Sequence, residues 1–341
     1  MNRTSCERLA LLFAGILVTA CGGGGSSTPI GNVAPPVPPT PPTAPSVVTD
    51  QQRIRAATAT AQTNSLCTAI QPFYWEIGDR TAALAAGSVN ASSSAITYTE
   101  NTQLSIASAS KWLYSSYFVQ VRAGVLTADD YKYLNFQSGY TSFQGCQSDQ
   151  TVAQCEAYQN NGVYTAANDG KFFYGGGHMQ KHATLVGLGD MDNAALADEI
   201  RSQLGSDVKL AYSEPQLAGG VYMSSSAYAR VLRKILAGQL LMGSMLGAHP
   251  VCTNRSTCAA AVFAPIPSDE SWHYSIGHWV EDDPTVGDGA FSSPGAFGFY
   301  PWIDASKTYY GVLARLSVGS AIDSVYCGRL IRKAWVTGAA P

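Results

Sequence analysis

A lysine, Lys111, heads the apolar stretch Trp112-Leu113-Tyr114 and Tyr117-Phe118-Val119. A helix this apolar buries most of its circumference, and a buried ammonium without a partner is costly. The cost falls if the lysine loses its proton, because burial disfavours the charged form and lowers the pKa. Ser108 stands three residues earlier, in Ile106-Ala107-Ser108-Ala109-Ser110-Lys111. Residues three apart share one face of a helix, with Cβ atoms about 5–6 Å apart. A serine hydroxyl is a weak nucleophile and needs a neighbouring base, which a neutral lysine supplies. The free N–H groups of a helix start can also receive a developing oxyanion. The bland alternative is an N-cap serine. The spacing alone is weak evidence, since about one match is expected by chance in a chain this long. A second copy, Ser206-Asp207-Val208-Lys209, sits in a strand-like alternation before Pro215. There the two side chains point to opposite faces, so it reads as a decoy.

The chain has 341 residues, 46% hydrophobic and 13% charged, enough for one large domain. Net charge is −3 without a basic block, so nucleic acid is not an expected partner. Low charge with abundant Gly, Ser, Ala and Tyr suits an exported protein.

The first 20 residues read as a signal peptide. Arg3 and Arg8 mark a charged start, and Leu9 to Ala20 is an apolar run too short to span a bilayer. The sequence Val18-Thr19-Ala20-Cys21 resembles a bacterial lipobox. That resemblance implies cleavage before Cys21, lipidation of Cys21, and a lipid anchor in the cell envelope, with Gly22 pointing to the outer membrane. A plain secretory signal with an incidental cysteine is the alternative. Residues 21–48 are rich in Gly and Pro and read as a tether, leaving 49–341 as the folded domain.

Eight cysteines become six without Cys6 and Cys21. Six cysteines in an oxidising compartment suggest three disulfides among 15 possible pairings. Spacing favours Cys146–Cys155 and Cys252–Cys258, each closing a short polar loop, and leaves Cys67–Cys327. No metal or cofactor is expected: His178 and His182 are an i,i+4 pair lacking the glutamate of a zincin motif.

The pattern along the domain is mixed. An early helical segment runs from about Ala56 to Gly78, and Ala95 to Thr99 alternates like a strand. Thr127-Ala128-Asp129-Asp130 looks like a helix cap. Asp192 caps a helix ending at Gly205, and Ser224 to Leu236 is a helix with one apolar stripe. Strand-like stretches follow at Trp272 to Val280, Gly298 to Ile303 and Tyr309 to Leu316, before a helix over Ala321 to Trp335. The fold class is α/β (α+β), one sheet built from both termini with an inserted helical lobe.

Four further stretches carry a family resemblance. They are Tyr174-Gly175-Gly176, Leu217-Ala218-Gly219-Gly220, Tyr274-Ser275-Ile276-Gly277-His278-Trp279, and Ser293-Pro294-Gly295 followed by Ala296 and Phe297. With Ser108 and Lys111 they resemble, in order, the motifs of the serine β-lactamase-like and penicillin-binding proteins: class C β-lactamases, DD-peptidases and related esterases. The resemblance implies an antiparallel sheet flanked by helices. It implies Ser108 as nucleophile, Lys111 as base, and Tyr174 sharing base duty with its pKa lowered by Lys111. It also implies an oxyanion hole from the N–H groups of Ser108 and Ala296, and substrate contacts from Gly176, Ser293, Gly295 and Phe297. A core role is the alternative for Tyr174, while His178 is expected to be structural, with support of the neighbouring site residues as its alternative.

Two departures stand out. Gly176 replaces the asparagine of the second motif, and Ser293 replaces the lysine or histidine of the third. Without that cation, carboxylate recognition loses its charge-assisted bond. The expected activity is therefore hydrolysis of a neutral ester or amide by a monomeric, membrane-anchored serine hydrolase. A β-lactamase or DD-peptidase acting on a peptide-like substrate is one rival. A non-catalytic envelope-binding lipoprotein is another. Phe297, Phe299, Tyr300 and Trp302 are candidates for an apolar acyl pocket or for core.

Overall fold

The computed structural model describes residues 48–341 except 93 and 320. The segment read as a signal peptide, Cys21 and nearly all of the segment read as a tether lie outside the described residues.

The strand Phe73–Asp79 is buried on both faces, from Phe73 to Ile77. The segment expected to continue the first helix to Gly78 is thus largely strand. The helix Asp50–Thr63 is followed by one short turn, Ser65–Thr68, and cis Gln71–Pro72 precedes the strand. The aromatic and β-branched run Phe-Tyr-Trp-Glu-Ile suits a pleated surface better than a helix. A second correction concerns Ala95 to Thr99, which is irregular and lies between the strands Ala83–Val89 and Gln103–Ser105.

Eight strands form one sheet. Their order is Ala83–Val89, Phe73–Asp79, Tyr309–Ala314, Tyr300–Ile303, Ala290–Ser292, His278–Glu281, His273–Ser275 and Val251–Cys252. Every pairing is antiparallel, for example Tyr74 opposite Ala314 and Trp279 opposite Ser292. The stretch Trp272 to Val280 is a hairpin rather than one strand. Ile276 (φ 40°) and Gly277 (φ 75°) form its two-residue turn, where positive φ at both positions matches the sheet twist.

Helices Asp50–Thr63 and Ala321–Thr337 pack together, while Ser225–Leu236 packs on the central strands. The lobe between Gln103 and Leu246 holds the helix Ser110–Val121, in which every residue from Ser110 to Val119 is buried. Asp192 caps the helix Asn193–Leu204 by accepting from the N–H groups of Ala194 and Ala195, and Ser224 caps Ser225–Leu236.

Cys67 and Cys327 form a disulfide with Cα atoms 4.8 Å apart across 260 residues, and Cys146 and Cys155 form another. The expected Cys252–Cys258 bond is absent, and both are free thiols. Their loop is already closed by Asn254. Its side chain accepts the Ser256 N–H (2.7 Å), and its carbonyl accepts the Cys258 N–H (3.0 Å) and faces the Cys252 thiol.

A cross-link stabilises chiefly by restricting the unfolded chain, more so for longer loops. Cys67→Ser with Cys327→Ser should therefore lower unfolding free energy by about 2–5 kcal/mol. The Cys146→Ser, Cys155→Ser pair, closing a loop with a separation of only 9, should cost less. Urea unfolding of the two double variants measures the difference.

Candidate active site

The chain enters the Ser110–Val121 helix through a tight 3-10 turn, Ala107–Ala109, with Ala107 at φ 45°. A left-handed φ is unusual for alanine and costs of order 1–3 kcal/mol. Two contacts hold the turn. The Ile106 N–H donates to Val221 O (3.1 Å), and Ser293 Oγ donates to Ser108 O (3.1 Å). Gly295 lies directly against the Ile106 carbonyl, leaving no room for a Cβ.

Lys111 follows one turn later and is 5% exposed. Its Nζ lies 2.8 Å from Ser108 Oγ and donates to Ala218 O at 2.8 Å. Burial pushes the ammonium down to about 7. Ala218 belongs to the Gly-Gly stretch, whose Val221 N–H is held by Ser110 Oγ (3.2 Å). Its carbonyl is a contact that sequence reasoning missed, because a backbone oxygen carries no residue signature. The hairpin turn closes over the same helix: a Cβ on Gly277 would sit 2.7 Å from Lys111 O.

Tyr174 completes the group. Lys111 Nζ lies 4.8 Å from its ring centroid, and Trp279 stacks on it at 5.2 Å. Its backbone N–H donates to Phe263 O (2.9 Å). Burial pushes the phenol up to about 12, with hydrogen bonds to Ser108 and Trp279 acting the other way. This corrects the expectation of a lowered pKa. A lysine that is itself close to neutral projects little field, so desolvation of the phenolate wins.

His178 is fully buried and neutral, with burial pushing it down to about 3. Its Nδ1 accepts the Ser138 hydroxyl (2.7 Å), and its Nε2 donates to Phe173 O (3.0 Å), fixing the strand end that carries Tyr174. His182 has other partners, Tyr114 and Asp130. The i,i+4 pair is therefore split between two networks.

A cavity of about 120 Å3 opens at Ser108 and Tyr174, walled by Pro265, Ile266, Trp272, Trp279, Pro294 and Ile322 with Ala296 at its edge. Of the residues expected to touch substrate, Gly176, Ser293, Gly295 and Phe297 do not line it. Ser293 is 2% exposed and its hydroxyl is engaged by Ser108 O. Gly176 packs against the Phe143 ring, where a Cβ would come within 2.7 Å. Phe297 lies outside the cavity, its carbonyl accepting the Ser317 N–H, and Phe299, Tyr300 and Trp302 are core. The apolar walls come instead from the loop 264–272 and the hairpin. No periodic pattern marks these wall residues in the sequence. Neither the Ser108 nor the Ala296 N–H has a hydrogen-bond partner among the described residues.

No family model and no curated protein matches the sequence. Solved structures do. A hydrolase with promiscuous acyltransferase activity, EstCE1, superposes with a TM-score of 0.63 at 12% identity, covering 84% of this chain and 99% of that one. FmtA from Staphylococcus aureus gives 0.59 at 13%, covering 89% and 94%. A putative β-lactamase from Bacteroides dorei gives 0.56 at 19%, covering 77% and 93%. The chain has the serine β-lactamase-like, penicillin-binding-protein fold.

Gly295→Ala should push the Ile106 carbonyl and displace the Ser108 turn. The expected outcome is a loss of about 1–3 kcal/mol of stability, as for other overpacked sites, together with slowed covalent labelling of Ser108. Thermal unfolding and fluorophosphonate labelling of the folded variant check both.

Proposed function

We propose that this protein is a serine hydrolase that cleaves neutral esters or amides through an acyl-enzyme. The observation that carries the reading is the 2.8 Å approach of a buried lysine to Ser108 Oγ, with burial lowering that lysine's pKa to about 7.

In the proposed mechanism neutral Lys111 takes the Ser108 proton as Oγ attacks the acyl carbonyl. The oxyanion is received by the N–H groups of Ser108 and Ala296, both unpartnered and both at the cavity. Tyr174, protonated at neutral pH, donates to the departing alkoxide or amine and is reprotonated through Lys111. Water then attacks the acyl-enzyme with Lys111 again as base, the acyl–Oγ bond breaks, and the protonated lysine returns its proton to Ser108 Oγ. The absence of any charged side chain from the cavity walls favours an uncharged acyl group over the carboxylate-bearing substrates of β-lactamases and DD-peptidases.

We further propose a lipid anchor at Cys21 and an envelope location, resting on the sequence of residues 1–48. Cys21→Ala should abolish incorporation of labelled fatty acid in a bacterial host.

Intact mass after fluorophosphonate treatment tests the mechanism. One adduct is expected on the wild type and none on Ser108→Ala, and a folded wild type that takes no adduct would sink the hydrolase reading and favour a binding lipoprotein. Rapid turnover of a chromogenic cephalosporin would favour the β-lactamase rival. Because the base must be unprotonated, acylation should rise with pH through a midpoint near 7 and level off above it. Lys111→Met should remove that rise and slow acylation by about 10²–10⁴-fold. Stopped-flow ester hydrolysis between pH 5 and 9 reads both.

A further inference from the structure

A second cleft, of about 440 Å3, opens on the helical lobe and shares no lining residue with the cavity at Ser108. Its volume lies within the range of small-ligand sites, about 300–1,000 Å3. Its walls join rings to charges. Tyr140 contacts Tyr164 at 5.4 Å and Tyr133 at 6.1 Å, and Tyr133 in turn stacks on His182 at 5.3 Å. Tyr164 is 49% exposed, and the hydroxyls of Tyr133 and Tyr140 have no hydrogen-bond partner among the described residues.

The charges are held in place. Arg122 pairs with Asp130 (3.3 Å) and Lys132 with Asp169 (2.9 Å), while Asp129 has no ion pair among the described residues. The Lys132 ammonium holds the Asp169 carboxyl below its usual range, with a smaller contribution from the Tyr164 hydroxyl. Beneath them His182 is 2% exposed and fixed between Tyr114 and Asp130, so the floor is rigid.

Each simple ligand class other than one meets a mismatch. An anion would face the carboxylates of Asp129 and Asp169, with both cations already paired. A compact cation needs rings converging on one point, whereas these rings run in a chain. A purely apolar ligand would strip water from fixed charges and free phenols, which is costly. A neutral sugar chain fits all of the features. Its C–H faces lie on rings, and its hydroxyls donate to Asp129 and Asp169 while accepting from the phenols of Tyr133 and Tyr140.

We propose that this cleft binds a neutral oligosaccharide, independently of the chemistry at Ser108. Calorimetry and saturation-transfer NMR with chitotriose and cellotriose as probes test it. The expected result is saturable binding to at least one probe, weakened about tenfold or more in Tyr133→Ala and Tyr140→Ala. Fluorophosphonate labelling of Ser108 should be unchanged in those variants. Should either tyrosine variant misfold, Asp129→Asn, on an exposed side chain, should weaken binding without altering the thermal transition. Three results would overturn the proposal: no saturable binding to either probe, undiminished binding in the folded variants, or displacement of the sugar by labelling Ser108, which would put it at the nucleophile.

Discussion

The site depends on the desolvation of one ammonium. Lys111 has no carboxylate partner among the described residues, and burial is the cause of its lowered pKa. A fall from the ordinary 10.5 to about 7 corresponds to roughly 5 kcal/mol of discrimination against the charged form. That is a sizeable fraction of the total stability of a domain. Surrounding packing must therefore hold the lysine out of water, and the helix is buried on every side from Ser110 to Val119.

Much of the local architecture serves this seal. The Ile276–Gly277 turn lies against Lys111 O because glycine leaves space there, and Gly277 N–H is tied to Leu134 O. Gly295 permits the same intimacy at Ile106. Ser293 reaches the Ser108 carbonyl. These contacts join the ends of interior strands of the sheet to the helical lobe across Ser108, so the two layers must both be in place before the lysine is dry. Strain at Ala107 is tolerated because hydrogen bonds on both sides of the turn over-determine it.

Local rules made part of this legible. The i,i+3 relation brings Ser108 and Lys111 together, the caps at Asp192 and Ser224 start their helices, and the late strands and final helix lie close to their expected places. The errors share a cause, which is that tertiary context outweighs local pattern. Phe73 to Ile77 is buried on both faces, so it lacks the alternation that marks a half-buried strand. Pro265, Ile266 and Ile322 become cavity walls through long-range folding, while Phe297, next in sequence to the candidate oxyanion donor, turns away. Ser293 was read as a substrate contact, yet its hydroxyl is engaged by the Ser108 backbone. Cys252 and Cys258 met the spacing rule for a disulfide, but Asn254 closes their turn by hydrogen bonds.

The replacements at the second and third motifs are linked through the same electrostatics. A lysine at position 293 would itself disfavour protonation of Lys111 and would attract anions and water. With serine there, and with Phe143 packed where an amide would project from position 176, Lys111 owes its lowered pKa to burial alone. On the proposed mechanism, reactivity and selectivity then share one origin. An uncharged acyl group that fills the small cavity walled by Trp272 and Trp279 displaces water and keeps Lys111 neutral, whereas a carboxylate carried into the same space would bring its hydration with it and favour the protonated lysine. On that proposed mechanism, dryness both activates Ser108 and rejects a charged substrate.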